Sequence, residues 1–358
     1  MTIFNDKIVD HTKEYMFFGE PLNTARYDKM KFSKFDHLTE QQLGYFWRPT
    51  EIDISKDVND FQNKMSDVDR RVYIHNLQYQ TLLDSIQGRS PSRVFEPICS
   101  LPELENWLTT WTFSESVHSR SYTYIIRNVF NDPSKVFDDI MLTPEIMNRA
   151  SMVTEHYERL EQAINDDLIS MREKKKLLIR CMFSVHALEA IRFYVSFACS
   201  FSFVERGLME GSGKILKLIA RDEYLHQGGT HFIISRWIKG LDDPEMTEVF
   251  EEDKEFLVGI ILDTYQQECE WAEFLFKDGS IRGLNTTVLQ QYLRYLTDKS
   301  LTTLGLPASF GDVKENPLPW IDSYLKSSST QVAPQEVELS SYQIGSIDMN
   351  DDLSGITL

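Results

Sequence analysis

Turn-forming residues are scarce in this chain of 358 residues, which contains only 16 glycines and 12 prolines. No regular series of short alternating strands is present either, so an all-β fold is disfavoured. Leucine, isoleucine, methionine and phenylalanine are common, as in long helices that bury one apolar face. The composition therefore predicts an all-α protein.

Basic residues are also few, with 37 lysines and arginines against 55 aspartates and glutamates, for a net charge of -18. A strongly acidic surface repels phosphate backbones and anionic lipids, so we expect neither direct nucleic-acid binding nor membrane binding. Solubility alone is an equally good reason for such a surface.

Cysteine is rare, and no Cys-x-x-Cys spacing occurs, which favours reduced, buried thiols over disulfides or a redox-active cysteine. The first fifteen residues lack a basic flank followed by an apolar core, so we expect no secretory signal. The longest apolar stretch, Phe193 to Val204, is too short to span a bilayer. We therefore expect a cytoplasmic protein. The four cysteines are Cys99, Cys181, Cys199 and Cys269.

One motif occurs twice: Glu115 precedes His118 by three residues, and Glu223 precedes His226 by three residues. On a helix, residues three apart share one face. Two such pairs, with single carboxylates from two further helices, form the ligand set of a di-iron or di-manganese helical bundle.

Four helices are predicted to carry these groups. Ser66 is a suitable N-cap for the first helix and Gly88 a suitable stop. Asp84 and Glu189 lie on the apolar stripes of the first and third helices, where they supply the two single carboxylates. The predicted helices run from Asp67 to Gln87, from about Pro102 to just before Asn131, from about Arg172 to Val204, and from about Ser212 to Lys239.

Several ionisable groups on inward faces would be costly to bury without a common partner. Two divalent ions would solve this problem, because four carboxylates and two imidazoles form a nearly neutral cluster around them. Hard oxygen ligands suit iron or manganese. Structural zinc would more often use thiolates in a closed tetrahedral site.

Longer segments around these residues resemble a known family, and the resemblance covers nearly the whole chain. The family is the radical-generating small (beta) subunit of class Ia ribonucleoside-diphosphate reductase, in which aspartate is usual at the position of Asp84. The matching segments are YMFFG at 15–19, FWRP at 46–49, YQTLLDSIQGR at 79–89, FSESVHSRSY at 113–122, LEAIRFY at 188–194 and IARDEYLH at 219–226.

This resemblance implies a ferritin-like di-iron carboxylate bundle with extra helices, forming a homodimer. It implies two iron ions per chain, with manganese less expected, and several bridging carboxylates. One iron would be bound by Asp84, Glu115 and His118, and the other by Glu189, Glu223 and His226.

Tyr122 lies four residues after His118, on the same helical face and therefore beside the metals. The resemblance implies that Tyr122 is oxidised to a stable tyrosyl radical. Phe193, Phe197 and Ile219 would form an apolar wall that keeps water away from it. The radical would pass through Trp47, Asp222 and His118, and then through Glu336 and Tyr342 near the chain end.

The composition changes only in the last thirty or so residues, so we predict one helical domain at 1–325 and a flexible tail at 326–358. Residues 327–334 are polar and aperiodic, as in a linker. The last residues mix aspartates with isoleucine and leucine. The resemblance implies that this tail binds a large catalytic subunit.

No glycine-rich phosphate loop or paired thiols are evident in the sequence, so we expect the nucleotide site on that other subunit. Three alternatives remain open from the residues themselves. They are a di-iron oxygenase or desaturase acting on an organic substrate, an iron-storage protein, and a metal-free helical scaffold.

Overall fold

The computed structural model describes residues 4–325, and within this range no β-strand is formed. Two isolated β-bridges join Phe17 to Cys99 and Ile281 to Leu284. The all-α prediction is therefore confirmed for the described part of the chain. The α-helices are α1 (Ser33–Gly44), α2 (Ser55–Asn59), α3 (Asp67–Gln87), α4 (Ser90–Val94), α5 (Pro102–Val129), α6 (Pro133–Leu142), α7 (Pro144–Ile164), α8 (Met171–Ala187), α9 (Phe193–Val204), α10 (Glu210–Ile238), α11 (Pro244–Leu275), α12 (Thr286–Thr303) and α13 (Asp322–Leu325).

Short helical segments of other types connect these helices. Two are π-helical, and one of them, Leu188–Arg192, joins α8 directly to α9. The other π segment is Asp60–Lys64, and the 3-10 turns are His11–Lys13, Pro49–Glu51, Glu96–Ile98 and Pro319–Ile321.

Helix α3 has the predicted bounds, and a complete capping box defines where it begins. The Ser66 hydroxyl accepts a hydrogen bond from the Asp69 amide at 3.1 Å, and the Asp69 carboxylate accepts one from the Ser66 amide at 3.1 Å. Both orphan amides are thus satisfied. Helix α5 also has its predicted bounds, with Pro102 at its first turn. Helix α10 begins two residues earlier than predicted.

The third predicted helix is present over Met171–Val204, but its middle turn is π-helical rather than α-helical. The π segment between α8 and α9 widens the helix where Glu189 stands. A π turn contains one residue more than an α turn, so a steady spacing of three and four residues does not hold through it. Side chains before and after Glu189 therefore follow two different helical phases.

The bundle core lies between α3, α5, α10 and the α8–α9 pair. Helix α5 packs against α3 and α1, while α10 packs against α8, α9 and α5. Tryptophans contribute much of this core, since Trp107 and Trp111 of α5 are both fully buried. Burying a large apolar side chain contributes roughly 1.5–3 kcal/mol relative to leaving it exposed.

Helices α7 and α11 cover the outer side of α8. The segment Met171–Val204 is long and apolar enough to cross a membrane by length and composition alone, so the shortness of the uninterrupted apolar stretch did not by itself exclude a membrane span. However, 94% of its most apolar window is buried inside the protein. Its apolar surface is thus used in packing against the rest of the bundle. All four cysteines lie within the described range, and each is buried and free.

Candidate metal centre

Six acidic and histidine side chains from four helical segments meet in the middle of the bundle. All six have a relative exposure of 0%. Each Glu-x-x-His pair lies on one helix, so its two side chains point the same way. The residues are Asp84 on α3, Glu115 and His118 on α5, Glu189 on the π segment, and Glu223 and His226 on α10.

The six residues form two overlapping groups suitable for metal ions. In each group, one ligand atom from every residue lies within 4.8 Å of all the others. The first group is Asp84, Glu115, His118 and Glu223, and the second is Glu115, Glu189, Glu223 and His226. Glu115 and Glu223 belong to both groups, which is the placement expected of carboxylates that bridge two ions.

Both imidazoles direct Nδ1 toward carboxylates. His118 Nδ1 lies 3.0 Å from Glu223 Oε1 and 3.3 Å from Glu115 Oε2. His226 Nδ1 lies 2.9 Å from both Glu115 Oε1 and Glu223 Oε2. A metal-binding imidazole must present a bare nitrogen to the ion. The Nδ1 atoms are therefore the nitrogens directed at the ion positions.

The electrostatics of this cluster are those of a site that needs added positive charge. Burial lowers the pKa of His226, but Glu115 and Glu223 outweigh burial and raise it to about 9. The pKa of His118 is also raised well above its usual value, because Glu223 and its other acidic neighbours outweigh burial. Burial raises the pKa of Glu115, yet the nearby imidazoles bring it down to about 2. The acidic neighbours thus favour positive charge within this cluster.

For the two outer carboxylates, burial and like charges outweigh the groups that lower their pKa values, which include His118 for Asp84 and Gln87 for Glu189. Burial, followed by the charges of Glu115 and Glu223, raises the pKa of Asp84 well above its usual value. Burial and the same two neighbours raise the pKa of Glu189. Within the described residues, both Asp84 oxygens and Glu189 Oε2 have no hydrogen-bond partner. Buried, unpartnered carboxylate oxygens are what two hard cations would bind, so the residues present fit a di-metal centre.

Each imidazole has a different partner on its outer nitrogen. His118 Nε2 lies 3.1 Å from Asp222 Oδ2, and the same oxygen accepts a hydrogen bond of 2.8 Å from the Trp47 indole. His226 Nε2 lies 3.1 Å from Gln42 Oε1. Outer partners of this kind fix the orientation and tautomer of a metal-binding histidine. The structure thus brings Trp47, Asp222 and His118 together in one hydrogen-bonded chain.

Sequence reasoning missed four polar side chains that hold these carboxylates and imidazoles. Besides Gln42, the Gln87 amide donates to Glu189 Oε1 at 2.6 Å, and Tyr157 donates to Gln87 at 2.9 Å. The Trp111 indole donates to Glu115 Oε1 at 2.9 Å. Trp111 precedes Glu115 by four residues, or one helical turn, and this spacing could have predicted their contact. No local pattern marks Gln42 or Tyr157, because each comes from a different helix.

Tyr122 is fully buried one turn after His118 on α5. Its pKa is raised well above the usual value, first by burial and then by the charge of Asp84. No hydrogen bond of good geometry reaches its hydroxyl from the described residues. Phe193 and Phe197 are also fully buried, with stacked rings 6.3 Å apart, and Ile219 is buried on α10. Glu336 and Tyr342 lie outside the described residues.

Comparison with known proteins identifies the family to which this chain is similar. A family model described as "Ribonucleotide reductase, small chain" matches residues 25–317. The chain is 49% identical over 375 residues to ribonucleoside-diphosphate reductase 1 subunit beta of Salmonella typhimurium, covering 100% of this chain and 99% of that protein. It is 50% identical over 366 residues to the corresponding beta subunit of Haemophilus influenzae, covering 98% and 97%.

Among solved structures, the ribonucleotide reductase R2 subunit of Clostridium botulinum superposes with a TM-score of 0.82. It is 25% identical in sequence, with 91% of this chain and 98% of that chain covered. This match confirms the predicted ferritin-like helical fold. The chain therefore belongs to the ribonucleotide reductase small-chain family, and its role is that of an oxidoreductase subunit that acts in ribonucleotide reduction together with a large subunit.

Proposed function

We propose that this subunit binds two iron ions, uses them with oxygen to oxidise Tyr122 to a stable radical, and passes that radical to the large subunit. The observation that carries the proposal is the set of buried carboxylate oxygens without a hydrogen bond of good geometry, together with a buried tyrosine hydroxyl that interacts with one of these carboxylates, Asp84. Neither feature benefits a helical scaffold, since each unpartnered buried group costs stability. Both are needed where a metal centre oxidises a side chain.

One ion would be held by Asp84, Glu115 and His118, and the other by Glu189, Glu223 and His226. Glu115 and Glu223 have ligand atoms in both groups, which supports a bridging role. Two ferrous ions would supply two of the four electrons that reduce oxygen fully, Tyr122 would supply the third, and an external one-electron reductant such as excess ferrous iron would supply the fourth. We propose iron over manganese on the family resemblance, because oxygen and imidazole ligands suit both metals.

Tyr122 would lose its electron and its phenolic proton together. A phenolate is strongly disfavoured at this position, because burial and the charge of Asp84 both raise the tyrosine pKa. The product would therefore be a neutral radical. The fully buried Phe193, Phe197 and Ile219 would exclude water and reductants from it.

The chain of Trp47, Asp222 and His118 supports a route for the radical out of the metal centre. Asp222 Oδ2 contacts both the indole nitrogen and the imidazole, so one carboxylate oxygen connects them. Beyond Trp47 the proposed route continues through Glu336 and Tyr342. Those two roles, and the docking of residues 326–358 on the large subunit, rest on the family resemblance.

Two further expectations remain proposals. A homodimer is proposed from the family resemblance. A cytoplasmic location is supported by the four free, buried cysteines, which form no disulfide in the described structure.

The radical can be tested directly. Metal-free protein is loaded with ferrous iron and exposed to oxygen, and its electron paramagnetic resonance and optical spectra are recorded. Wild type is expected to give a tyrosyl signal, and Tyr122→Phe to lose that signal while keeping its iron absorption bands. Uptake of two irons without any radical in wild type would refute the proposal and would favour an oxygenase that acts on an organic substrate.

The role of the tail needs the large subunit in the assay. A chain truncated after Tyr342 is expected to form the radical normally but to support no ribonucleotide reduction. Unchanged affinity of this truncated chain for the large subunit would refute the docking role.

A further inference from the structure

The π segment Leu188–Arg192 determines how Glu189 is oriented relative to the residues that follow it. A π turn contains one residue more than an α turn, and one residue corresponds to about 100° of helical rotation. If this turn were α-helical, Phe193 and Phe197 would emerge in a different direction relative to Glu189. The geometry of the metal centre thus depends on this turn remaining in its π form.

π turns are rare and occur mostly as single turns within longer α-helices, so specific contacts are expected to hold this one in place. The side chain at the end of this turn is Arg192, which has a relative exposure of 1%. Its hydrogen bonds go to a carboxylate, an amide, a phenol and a thioether, and none of these belongs to a candidate metal ligand. These partners are Glu268, Gln267, Tyr79 and Met152.

The central contact is a fully buried ion pair. Arg192 Nη1 donates to Glu268 Oε1 at 2.7 Å, and Arg192 Nη2 donates to Gln267 Oε1 at 2.7 Å. The Tyr79 hydroxyl donates to the same Glu268 oxygen at 2.6 Å. Because Tyr79 lies on α3, and Gln267 and Glu268 on α11, the guanidinium ties the π turn to two helices that flank it.

On the basis of the proposed metal centre, we propose that Arg192 is a positioning residue. Its ion pair with Glu268 holds residues 188–192 in the π form and thereby directs Glu189 toward the other carboxylates. Rotation of the turn into an α form would withdraw the guanidinium from Glu268. Arg192 would then lose its carboxylate partner while still buried, and Glu268 would keep only Arg149, whose Nε lies 3.7 Å from Glu268 Oε1, and the Tyr79 hydroxyl; an unpaired buried charge is costly.

The chemistry of the side chain supports this role. A guanidinium holds its N–H donors in a rigid, planar arrangement. Here Nη1 donates to Glu268 and Nη2 donates to Gln267. Two anchor points on neighbouring residues of α11 fix both the position and the rotation of Arg192. A single-point contact would fix only the position.

The test removes both charges of the pair together, while Arg149, the second cation beside Glu268, keeps its hydrogen bonds to the backbone carbonyls of Glu145 and Gln267. Arg192→Gln/Glu268→Gln is titrated anaerobically with ferrous iron, and hydrogen exchange is followed at the amides of residues 188–193. We expect one ion to bind as in wild type, the second to bind about tenfold or more weakly, as for lost outer partners of metal ligands, and these amides to exchange faster. If this variant does not fold, Arg192→Lys, which keeps the charge and loses the planar guanidinium, provides the same two measurements.

A matched control joins α8, the helix that precedes the π turn, to the same helix α11. Arg180 of α8 donates to Asp253 of α11 at 2.7 Å, twelve residues before Arg192. Arg180→Gln/Asp253→Asn is expected to lower thermal stability while leaving both iron affinities and the exchange at residues 188–193 unchanged.

Two results would overturn the inference. One is that the Arg192→Gln/Glu268→Gln variant binds two ferrous ions with the same affinities as the wild type. The other is that the control variant loses as much iron affinity as this variant does. If wild type itself bound no ferrous iron, the proposed function would fail. Hydrogen exchange at residues 188–193 in the metal-free protein would still decide whether the ion pair holds the π turn.

Discussion

The indole nitrogen of Trp47 donates a hydrogen bond of 2.8 Å to Oδ2 of Asp222. Both side chains are almost completely buried, although they are 175 residues apart in the chain. The same oxygen lies 3.1 Å from His118 Nε2. One carboxylate atom therefore connects an aromatic ring to a candidate metal ligand.

Removing the Asp222 carboxylate should impair radical transfer while leaving radical formation intact. Asp222→Ala is expected to retain the Tyr122 radical but to lower turnover with the large subunit by about 10–100-fold, the usual cost of losing an outer partner of a metal ligand. Asp222→Asn, which keeps an acceptor oxygen, should lose less. Spin quantification and deoxyribonucleotide formation measure the two steps. Parallel loss of both in the alanine variant would instead indicate collapse of the metal centre.

Gln42 should support the second imidazole, because its side-chain oxygen lies 3.1 Å from His226 Nε2. Gln42→Leu is expected to weaken binding of one of the two ferrous ions by about tenfold, since His226 loses the contact that orients it. Gln42→Glu retains an acceptor and should bind both ions normally. Anaerobic iron titration of the three proteins measures this, and identical curves would rule the contact out as a contributor.

Two adjacent glycines of α10 should respond in opposite directions to alanine. A methyl group at Gly229 would lie 2.7 Å from Trp107 Nε1, whereas at Gly228 the nearest atom beyond the local helix backbone, a Leu38 methyl carbon, would be 4.0 Å away. Gly228→Ala should raise the free energy of unfolding by about 0.5–1 kcal/mol through helix propensity. Gly229→Ala should lower it by about 1–3 kcal/mol through overpacking. Urea denaturation of both variants checks the sign, and stabilisation by Gly229→Ala would contradict the packing seen here.

His186 should make the protein sensitive to mild acid. Burial, with a smaller contribution from His231, lowers the pKa of His186 to about 3, against 6.5 in the unfolded chain. The unfolded state therefore takes up the proton first, so the stabilisation is complete above pH 6.5 and declines as the pH falls toward 3. Between pH 7 and pH 5 the expected loss from this residue is about 2 kcal/mol.

His186→Gln should flatten that dependence while keeping a polar group near Thr230, which lies 2.9 Å from His186 Nδ1. Urea denaturation at several pH values gives the difference between the two proteins. A difference that stays constant from pH 7 to pH 5 would show that His186 does not titrate in this way.

Local patterns were sufficient where local contacts decide the structure. Ser66 and Asp69 form a reciprocal cap three residues apart, so the start of α3 could be read from the sequence. The Glu-x-x-His pairs likewise meet because residues three apart share a helical face. The interruption at Leu188–Arg192 could not be predicted, because the contacts of Arg192 with Tyr79 and Glu268 come from distant helices.

By itself, the sequence determined an all-helical protein with a repeated carboxylate and histidine pair, and its longer segments were enough to recognise the family. These features depend on neighbours within one or two helical turns. Only the tertiary structure decided that Glu115 and Glu223 belong to both metal groups, that Gln42 is the outer partner of His226, and that the turn carrying Glu189 is π-helical. Each depends on atoms brought together from different helices, and that packing has no local signature.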